Sequence, residues 1–267
     1  MDLGIAFPPY VAAWRDAEIA EANGFTHAWF YDSQLLYSDV YACMALVAER
    51  TRTLKLGTLV AVPTNRIAPV TASAAATINA IAPGRVVVGI GTGGTARNSM
   101  GLHPVTAGAL ARYAEQVRGL LKGEDVLFRE GNAERWIRLL HRDRSRGYVN
   151  LDDPIEIHIA ANGPRALRVA AVQGDGWITL VQRPESIARG FDTIGRVRGN
   201  GDRPYTTVLH AGACVLREGE RITSPRVVRR LGPAVVAPAQ APGETAPGGA
   251  RRGQRDAAQA QPNADYK

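Results

Sequence analysis

The sequence predicts an α/β fold, namely a TIM-type (β/α)8 barrel that lacks its last βα unit. Short apolar runs alternate with segments of helical spacing from residue 3 onward, which is typical of βα units and a parallel sheet. The pattern predicts seven strands and six helices. This number is too large for one mononucleotide-binding half of a doubly wound fold, and the alternation is too regular for two separate domains. After Val236 there is no Val, Ile, Leu, Met, Phe or Trp, so no eighth unit is predicted.

The first four units follow from apolar patterns and helix signals. Strands are predicted at residues 3–7, 27–31, 54–62 and 86–90. Gly24 stands where a left-handed cap would end the first helix, and Asp39 is predicted to cap the second. The positions expected to face the core are Ala13, Ala17 and Ala20 in the first helix, Val40, Met44 and Val47 in the second, Val70, Ala74, Ile78 and Ile81 in the third, and Leu110, Tyr113, Val117 and Leu120 in the fourth.

The alternation breaks at about residues 124–152 and then resumes. This segment is rich in arginine, and two interpretations are open. It could be a solvent-exposed insertion on one face of the fold, or its arginines could bind an anionic ligand. Its arginines are Arg129, Arg135, Arg138, Arg142, Arg144 and Arg146. Further strands are predicted at residues 155–160, 177–181 and 206–216, with helices that begin at Pro164 and Pro184.

Composition narrows the class of protein. The chain has 267 residues and a net charge of +7, but its arginines are scattered and few aromatic residues accompany them, so a nucleic-acid partner is not favoured. No run approaches the ~20 apolar residues of a membrane span, and the N-terminus is not that of a signal peptide. We therefore expect a cytoplasmic protein without a membrane partner. Cys43 and Cys214 have no metal-ligand spacing, and no metal is expected.

Two glycine-rich turns are predicted at the carboxyl ends of strands. Gly89, Gly91 and Gly94 match G-x-G-x-x-G, but three βα units precede them and Glu115, at the expected distance for the acidic residue, lies inside a helix. A dinucleotide fingerprint is therefore not favoured. Such turns can serve as tight turns alone, or they can let the backbone approach an anion. The second turn, AANGP at 160–164, would lie at the same rim, and two turns there suit a phosphorylated cofactor.

Four segments carry a family resemblance. They are YDSQ at 31–34, LGTLVAVPTNR at 56–66, GRVVVGIGTG at 84–93 and AANGPRALR at 160–168. In order and spacing they resemble the bacterial luciferase-like flavin oxidoreductases, and within these the coenzyme F420-dependent branch typified by methylenetetrahydromethanopterin reductase. The resemblance runs from about residue 3 to about residue 236.

The resemblance implies a set of cofactor-binding positions at the rim of the barrel. The third strand of family members has a bulge with a non-prolyl cis peptide, and the matching bond is Leu59–Val60. Gly91, Thr92 and Gly93 match a loop near the cofactor's side chain. The phosphate-binding segment of the family matches Asn162, Gly163 and Pro164, and the arginine-rich segment matches a variable insertion.

The resemblance also implies a reaction and two candidate catalytic residues. Many relatives have Asp-His at the end of the second strand, whereas this sequence has Asp32 and Ser33, so a histidine-based mechanism is in doubt there. His27, His158 and His210 lie in predicted strands and are expected to be packed. The expected activity is hydride transfer between reduced F420 and a small organic substrate. Alternatives are an FMN-dependent luciferase-like monooxygenase and a truncated, non-catalytic relative.

The C-terminal segment sets the expected domain organisation. Residues 1–236 are predicted to form the barrel domain, with the arginine-rich insertion at about 124–152. Residues 237–267 are mostly Ala, Pro, Gly, Gln and Arg and are expected to be disordered. A shifted reading frame would produce such a segment, and we expect a truncated or frameshifted C-terminus; the alternative is a natural disordered tail. A homodimer, common in the family, would cover part of the gap left by a missing unit.

Overall fold

The computed structural model of the protein describes residues 1–180, 183–199 and 203–231. The chain divides into two compact units, Met1–His210 and Ala211–Lys267. In the described part of the second unit residues 225–231 are helical, and Arg226 pairs with Glu220. The predicted boundary at residue 236 and the predicted tail at 237–267 lie outside the described residues.

The first unit is a curled parallel sheet covered by helices. Its strands are β1 (Gly4–Phe7), β2 (His27–Phe30), β3 (Lys55–Thr58), β4 (Val86–Ile90), β5 (Val126–Glu130), β6 (Ala133–Ile137), β7 (Glu156–Ala160), β8 (Gly176–Leu180) and β9 (Thr206–His210). Its helices are α1 (Ala13–Ala22), α2 (Val40–Arg50), α3 (Ala68–Ile81), α4 (Gly94–Asn98), α5 (Ala107–Leu121), α6 (Pro164–Gln173) and α7 (Pro184–Arg198).

Among the described residues, seven strands pair in parallel in the order β1-β2-β3-β4-β7-β8-β9. A parallel sheet in chain order, with a helix after nearly every strand, is the arrangement of a TIM-type barrel. β1 and β9 are the two edges of the described sheet, which therefore has seven of the eight strands of such a barrel. The predicted fold class is therefore confirmed.

Alternation along the strands separates two apolar layers. Side chains on the outer face of the sheet pack against the helices and form the main core, which includes Phe30, Val88, Ile90 and Ile159. The inner face holds a smaller cluster of Trp29, Val87 and Ile178, with Leu59, Val60, Ala160 and Val208 packed against it. Because successive side chains of a strand point to opposite faces, each strand contributes to both layers.

The structure confirms several predictions about where helices begin and which of their faces are buried. Ala13, Ala17 and Ala20 are the buried positions of α1. The Asp39 carboxylate accepts the N–H of Ala42 at 3.0 Å and so caps α2. Pro164 occupies the first turn of α6, where its missing N–H costs nothing.

The structure corrects the predicted extent of two strands. β3 ends at Thr58 rather than at residue 62, and beyond it the chain pairs with β4 only through an isolated bridge between Ala61 and Ile90. β9 ends at His210 rather than at residue 216, so Cys214 lies outside any strand.

The predicted inner face of the third helix is also wrong in part. In α3, Ile78 is buried, but Val70 and Ile81 are exposed, and the buried positions are mostly small: Ala68, Thr71, Ala72, Ala75, Ala76 and Asn79. This helix packs between α2 and α5, and the small residues permit the close approach. The larger apolar residues therefore face outward.

The arginine-rich segment is not irregular throughout. β5 and β6 form an antiparallel hairpin, and a short 3-10 turn follows at Arg144–Arg146. The residues of β6 are mostly exposed, and Trp136 is 66% exposed. The short helix α4 is a second element that the sequence pattern did not predict, since five residues carry too little periodicity.

Candidate functional site

The carboxyl ends of the seven parallel strands meet at one end of the barrel, here called the barrel mouth. The inner cluster around Trp29 fills the barrel below it. Val208 belongs to the same inner layer, and residues two positions along a strand point to the same face. Tyr31 and His210, two positions beyond Trp29 and Val208, therefore face the mouth.

Leu59 and Val60 form an apolar floor at the mouth. The peptide between them is cis, as predicted. Both side chains are half-buried and pack on the inner cluster. Beyond them the chain pairs again with β4, since Ala61 donates to the Gly89 carbonyl at 2.7 Å and accepts from the Gly91 N–H at 3.0 Å. The floor is thereby held by backbone on both sides.

The glycines of the fourth-strand turn are required by packing. A Cβ at Gly91 would overlap Cγ2 of Val60 and lie 3.3 Å from Cβ of Ala160. Gly93 has φ +83°, and a Cβ there would overlap Cγ1 of Val62. Thr92 is half-buried, and its carbonyl accepts the N–H of Val105 at 2.9 Å. These glycines therefore shape the turn against the floor.

The second turn presents an open helix N-terminus. Asn162, Gly163 and Pro164 are exposed, and Gly163 caps α6 without a side-chain hydrogen bond. Asn162 is fixed by the Thr179 hydroxyl, which donates to Oδ1 at 2.9 Å. The first N–H groups of a helix have no acceptor within it, and its dipole favours an anion there. Arg165, exposed in the first turn, adds positive charge.

Asp32 lies at the carboxyl end of β2 and is half-buried. Its pKa is raised to about 6, mainly by burial, which disfavours the charged form, and also by nearby Asp39. The Arg66 guanidinium and the N–H of Val62 oppose this effect. Ser33, the next residue, begins a turn in which its carbonyl accepts the N–H groups of Leu36 and Tyr37 at 3.2 Å.

A polar region beside Asp32 was not predicted from the sequence. The Tyr41 hydroxyl, Asn65 Oδ1 and Arg66 Nε are buried and have no hydrogen-bond partner among the described residues. The Asn65 amide nitrogen donates to Gln34 Oε1 at 2.7 Å, which ties the loops after β2 and β3 together. Because buried polar groups are normally paired, a polar group entering here would find both a donor and an acceptor.

Tyr31 and His210 are a second pair that the sequence did not join. The Tyr31 hydroxyl lies 3.2 Å from Nε2 of His210, and both side chains are half-buried. His158 is fully packed, 1% exposed, as expected of a strand histidine. His27 is half-buried and stacks on Trp29 at 5.8 Å between ring centroids. No signal in the sequence separates His210 from the other two, since all three lie in strands.

A cavity of about 620 Å³ lies outside the barrel, between α3, α5 and the β5–β6 hairpin. None of the predicted site residues lines it. Its charged lining residues are Arg112, Arg129, Glu115, Glu124, Asp125 and Glu130. Arg129 is already paired with Glu134. Four carboxylates outnumber two guanidinium groups, so the lining does not form a binding site for an anion. The arginine-rich hairpin therefore does not bind an anionic ligand at this cavity.

Among residues 1–180, 183–199 and 203–231, no group of three or more His, Cys, Asp or Glu side chains could hold a metal ion. In the same part of the chain no helix is both long enough and apolar enough to cross a membrane.

A parallel barrel with an apolar floor, a glycine turn and an open helix N-terminus at one mouth is a TIM-type barrel with a candidate ligand site at the carboxyl ends of its strands. Residues 8–264 match the model of the luciferase-like monooxygenase family, and the chain belongs to that family. The match extends past residue 236, where the sequence resemblance was expected to end.

Two curated relatives illustrate the similarity. The 5,10-methylenetetrahydromethanopterin reductase of Archaeoglobus fulgidus is 30% identical over 234 residues, which are 83% of this chain and 66% of the relative. The F420-dependent glucose-6-phosphate dehydrogenase of Kineococcus radiotolerans is 32% identical over 205 residues, 69% of this chain and 59% of the relative. The chain thus spans less than two thirds of the length of either relative.

Solved structures show the same fold. The coenzyme F420-dependent tetrahydromethanopterin reductase of Methanopyrus kandleri aligns with a TM-score of 0.61 at 24% identity, over 78% of this chain and 65% of that one. A monooxygenase of Streptomyces bottropensis aligns with a TM-score of 0.69 at 23% identity, over 89% and 80%.

Proposed function

We propose that this protein binds coenzyme F420 at the barrel mouth and transfers a hydride between the reduced deazaflavin and a small organic substrate. Two relatives that are 32% and 37% identical to it, over 69% and 54% of its length, are F420-dependent glucose-6-phosphate dehydrogenases. The observation that carries the proposal is the placement of the apolar floor, Leu59 and Val60, and the open N-terminus of α6 at one rim.

The residues present fit such a cofactor. A planar ring needs an apolar surface, and the half-buried Leu59 and Val60 offer one. A phosphate needs free N–H groups and positive charge, and the first turn of α6 offers both, with Arg165 and Arg168 exposed. A Cβ at Gly163 would meet nothing within 4 Å, so the approach to this helix is open.

The bound cofactor would supply the hydride chemistry, and the chain would supply position and proton control. Asp32 is the predicted catalytic residue near the mouth. With a pKa of about 6 it holds a proton at its carboxyl oxygen below that pH and releases it above, so its charge at the mouth changes near neutral pH. Ser33 would fix the turn that presents Asp32. The substrate, a small organic molecule, would enter the polar region formed by Asn65 and Arg66.

A thermal titration tests the proposal. The 267-residue chain is titrated with F420 and, in parallel, with FMN, because a ligand specific to the folded state must raise the melting temperature. We expect saturable stabilisation by F420. Stabilisation by FMN alone would replace the proposal with an FMN-dependent monooxygenase, and the absence of any shift would indicate a non-catalytic relative.

A charge-matched pair of variants locates the site. Arg165→Ala with Arg168→Ala removes two positive charges beside the N-terminus of α6, and we expect the F420 affinity to fall about tenfold or more. Arg189→Ala with Arg196→Ala removes the same charge from α7 and is expected to leave the affinity unchanged. Equal effects of both pairs would contradict binding at α6. A homodimer remains a prediction, which light scattering of the same sample would test.

A further inference from the structure

The contact between Tyr31 and His210 joins parts of the fold that share no backbone pairing. β2 lies one strand in from one edge of the described sheet, whereas β9 is the opposite edge. The hydroxyl of Tyr31 nevertheless lies 3.2 Å from Nε2 of His210, and the ring centroids are 5.9 Å apart. The pair therefore bridges the barrel mouth.

Both side chains face the interior at the level of the mouth. Leu59 and Val60 pack on the same inner cluster as Val208, the inward residue that precedes His210. Tyr31 and His210 are both half-buried, so neither side chain is fully shielded from solvent or from a ligand at the mouth. A group that rests on the apolar floor would thus have an imidazole at its edge.

One nitrogen of the His210 imidazole contacts Tyr31, and the other has no hydrogen-bond partner among the described residues. The first of these is Nε2, and the second is Nδ1. Burial lowers the pKa of His210, and burial together with Tyr37 raises the pKa of Tyr31. The titratable groups close to Tyr31 among the described residues include Tyr37, whose ring centroid is 6.1 Å from that of Tyr31, and Asp32, the next residue in the chain. On β8 the residue paired with His210 is the uncharged Leu180.

We propose that His210 exchanges the proton that accompanies hydride transfer, with Tyr31 as its positioning residue, on a substrate whose reacting carbon is double-bonded to oxygen or nitrogen. This inference rests on the proposed function. In the direction of reduction, the carbon gains a hydride with its electron pair, which the reduced deazaflavin would supply and by which it would be oxidised, the double bond opens, and the oxygen or nitrogen takes a proton from Nδ1–H of the imidazolium. His210 is left neutral, and the reverse reaction returns the proton to Nδ1.

The two sides of the imidazole have separate roles in this scheme. Nε2 carries a hydrogen both in the imidazolium and in the neutral ring that has lost its Nδ1 proton, so it donates to the Tyr31 hydroxyl in both states and the contact persists through the change at Nδ1. It also fixes the ring plane, which sets the direction in which Nδ1 points. Tyr31 therefore acts through His210 rather than on the substrate.

Ring-proton NMR of the five histidines tests the inference without an assay of turnover. His210→Gln assigns the His210 signal, and His27→Gln, at the opposite end of the barrel, is the matched control. We expect His210 to titrate below the ordinary value of about 6.5, and Tyr31→Phe to move that midpoint. Saturating F420 should shift the His210 signal and leave that of His27 unchanged.

Turnover provides a second readout. With reduced F420 and cyclohexanone as the probe, His210→Gln is expected to lower kcat at least about 100-fold and to remove one limb of the pH profile, at an unchanged melting shift by F420. Where cyclohexanone is not turned over, the NMR titration decides.

The outcomes separate this inference from the proposed function. Stabilisation by F420 without any change in the His210 signal would overturn the inference and leave the cofactor assignment standing. So would full activity of His210→Gln, or a titration midpoint of His210 that Tyr31→Phe leaves unmoved, since the contact would then only tie β9 to β2. The absence of stabilisation by F420 would overturn both.

Discussion

The hydroxyl of Tyr31 and Nε2 of His210 lie 3.2 Å apart across the mouth of the barrel, between strands that share no backbone hydrogen bond. The contact therefore contributes to the cohesion of the open sheet as well as to the candidate site. A hydrogen bond of this kind between half-buried side chains is worth about 1 kcal/mol net.

Tyr31→Phe is accordingly expected to lower the free energy of unfolding by about 1 kcal/mol, because it removes only the hydroxyl and leaves the ring in place. Urea denaturation monitored by circular dichroism measures the change. Tyr148→Phe is the control, since Tyr148 is 59% exposed and its substitution should have no measurable effect. Equal losses in the two variants would show that the contact across the mouth carries no stability.

Asp32 should make the stability depend on pH. Its pKa in the folded chain, about 6, lies above the ordinary 3.8, so the folded state binds more protons between these values. The free energy of unfolding therefore falls as pH rises from about 4 to about 6 and does not fall further on this account. The difference between the two pKa values corresponds to at most about 3 kcal/mol.

Asp32→Asn replaces the charged form by a neutral amide. We expect the variant to be more stable than the parent by about 1 to 3 kcal/mol at pH 8 and equal to it near pH 4, as measured by urea denaturation at both values. Asp192→Asn, on the exposed face of α7, should show no such pH-dependent difference. A parent chain at least as stable as Asp32→Asn at pH 8 would contradict the raised pKa.

Adjacent glycines in the fourth-strand turn should respond in opposite directions to alanine. Gly93→Ala would place a Cβ at φ +83° against Val62, and we expect a loss of about 2 to 4 kcal/mol. Gly94→Ala meets open space in the first turn of α4 and should be neutral or stabilising by up to about 1 kcal/mol. Thermal unfolding of the two variants provides the comparison, and similar melting temperatures would rule out the packing role of Gly93.

Asp175 joins three elements at the end of the barrel away from the mouth. Its carboxylate accepts from Arg118 at 2.9 Å and from the N–H of Ile157 at 2.9 Å, and it also pairs with Arg203. The carboxylate is 13% exposed and the Arg118 side chain 17%. Asp175→Asn should therefore cost about 2 to 3 kcal/mol, because it leaves a largely buried guanidinium without its counter-charge.

The exposed pair of Asp125 and Arg138, 3.8 Å apart, provides the control for Asp175. Asp125→Asn should change the free energy of unfolding by less than about 0.5 kcal/mol. Both variants should keep the melting shift produced by F420, since neither residue lies at the mouth. Loss of the F420 shift in Asp175→Asn, with the fold intact by circular dichroism, would contradict this placement.

The parts of the fold that local pattern controls could be predicted from the sequence. The burial of Ala13, Ala17 and Ala20 follows from helical spacing, and the Asp39 cap and the start of α6 at Pro164 follow from side-chain chemistry within a few residues. The face of α3 could not be predicted in this way, because neighbouring helices select small residues over Val70 and Ile81.

By itself, then, the sequence determined the alternation of strands and helices, the barrel class, and the glycine turns and cis peptide at its rim, because each depends on contacts between residues near in the chain or on motif order. Only the tertiary structure decided that Tyr31 meets His210, since 179 residues separate them. It alone also decided that Asp32 is buried beside Arg66, which raises its pKa despite the nearby positive charge. Burial and long-range proximity arise from packing, and no local pattern encodes them.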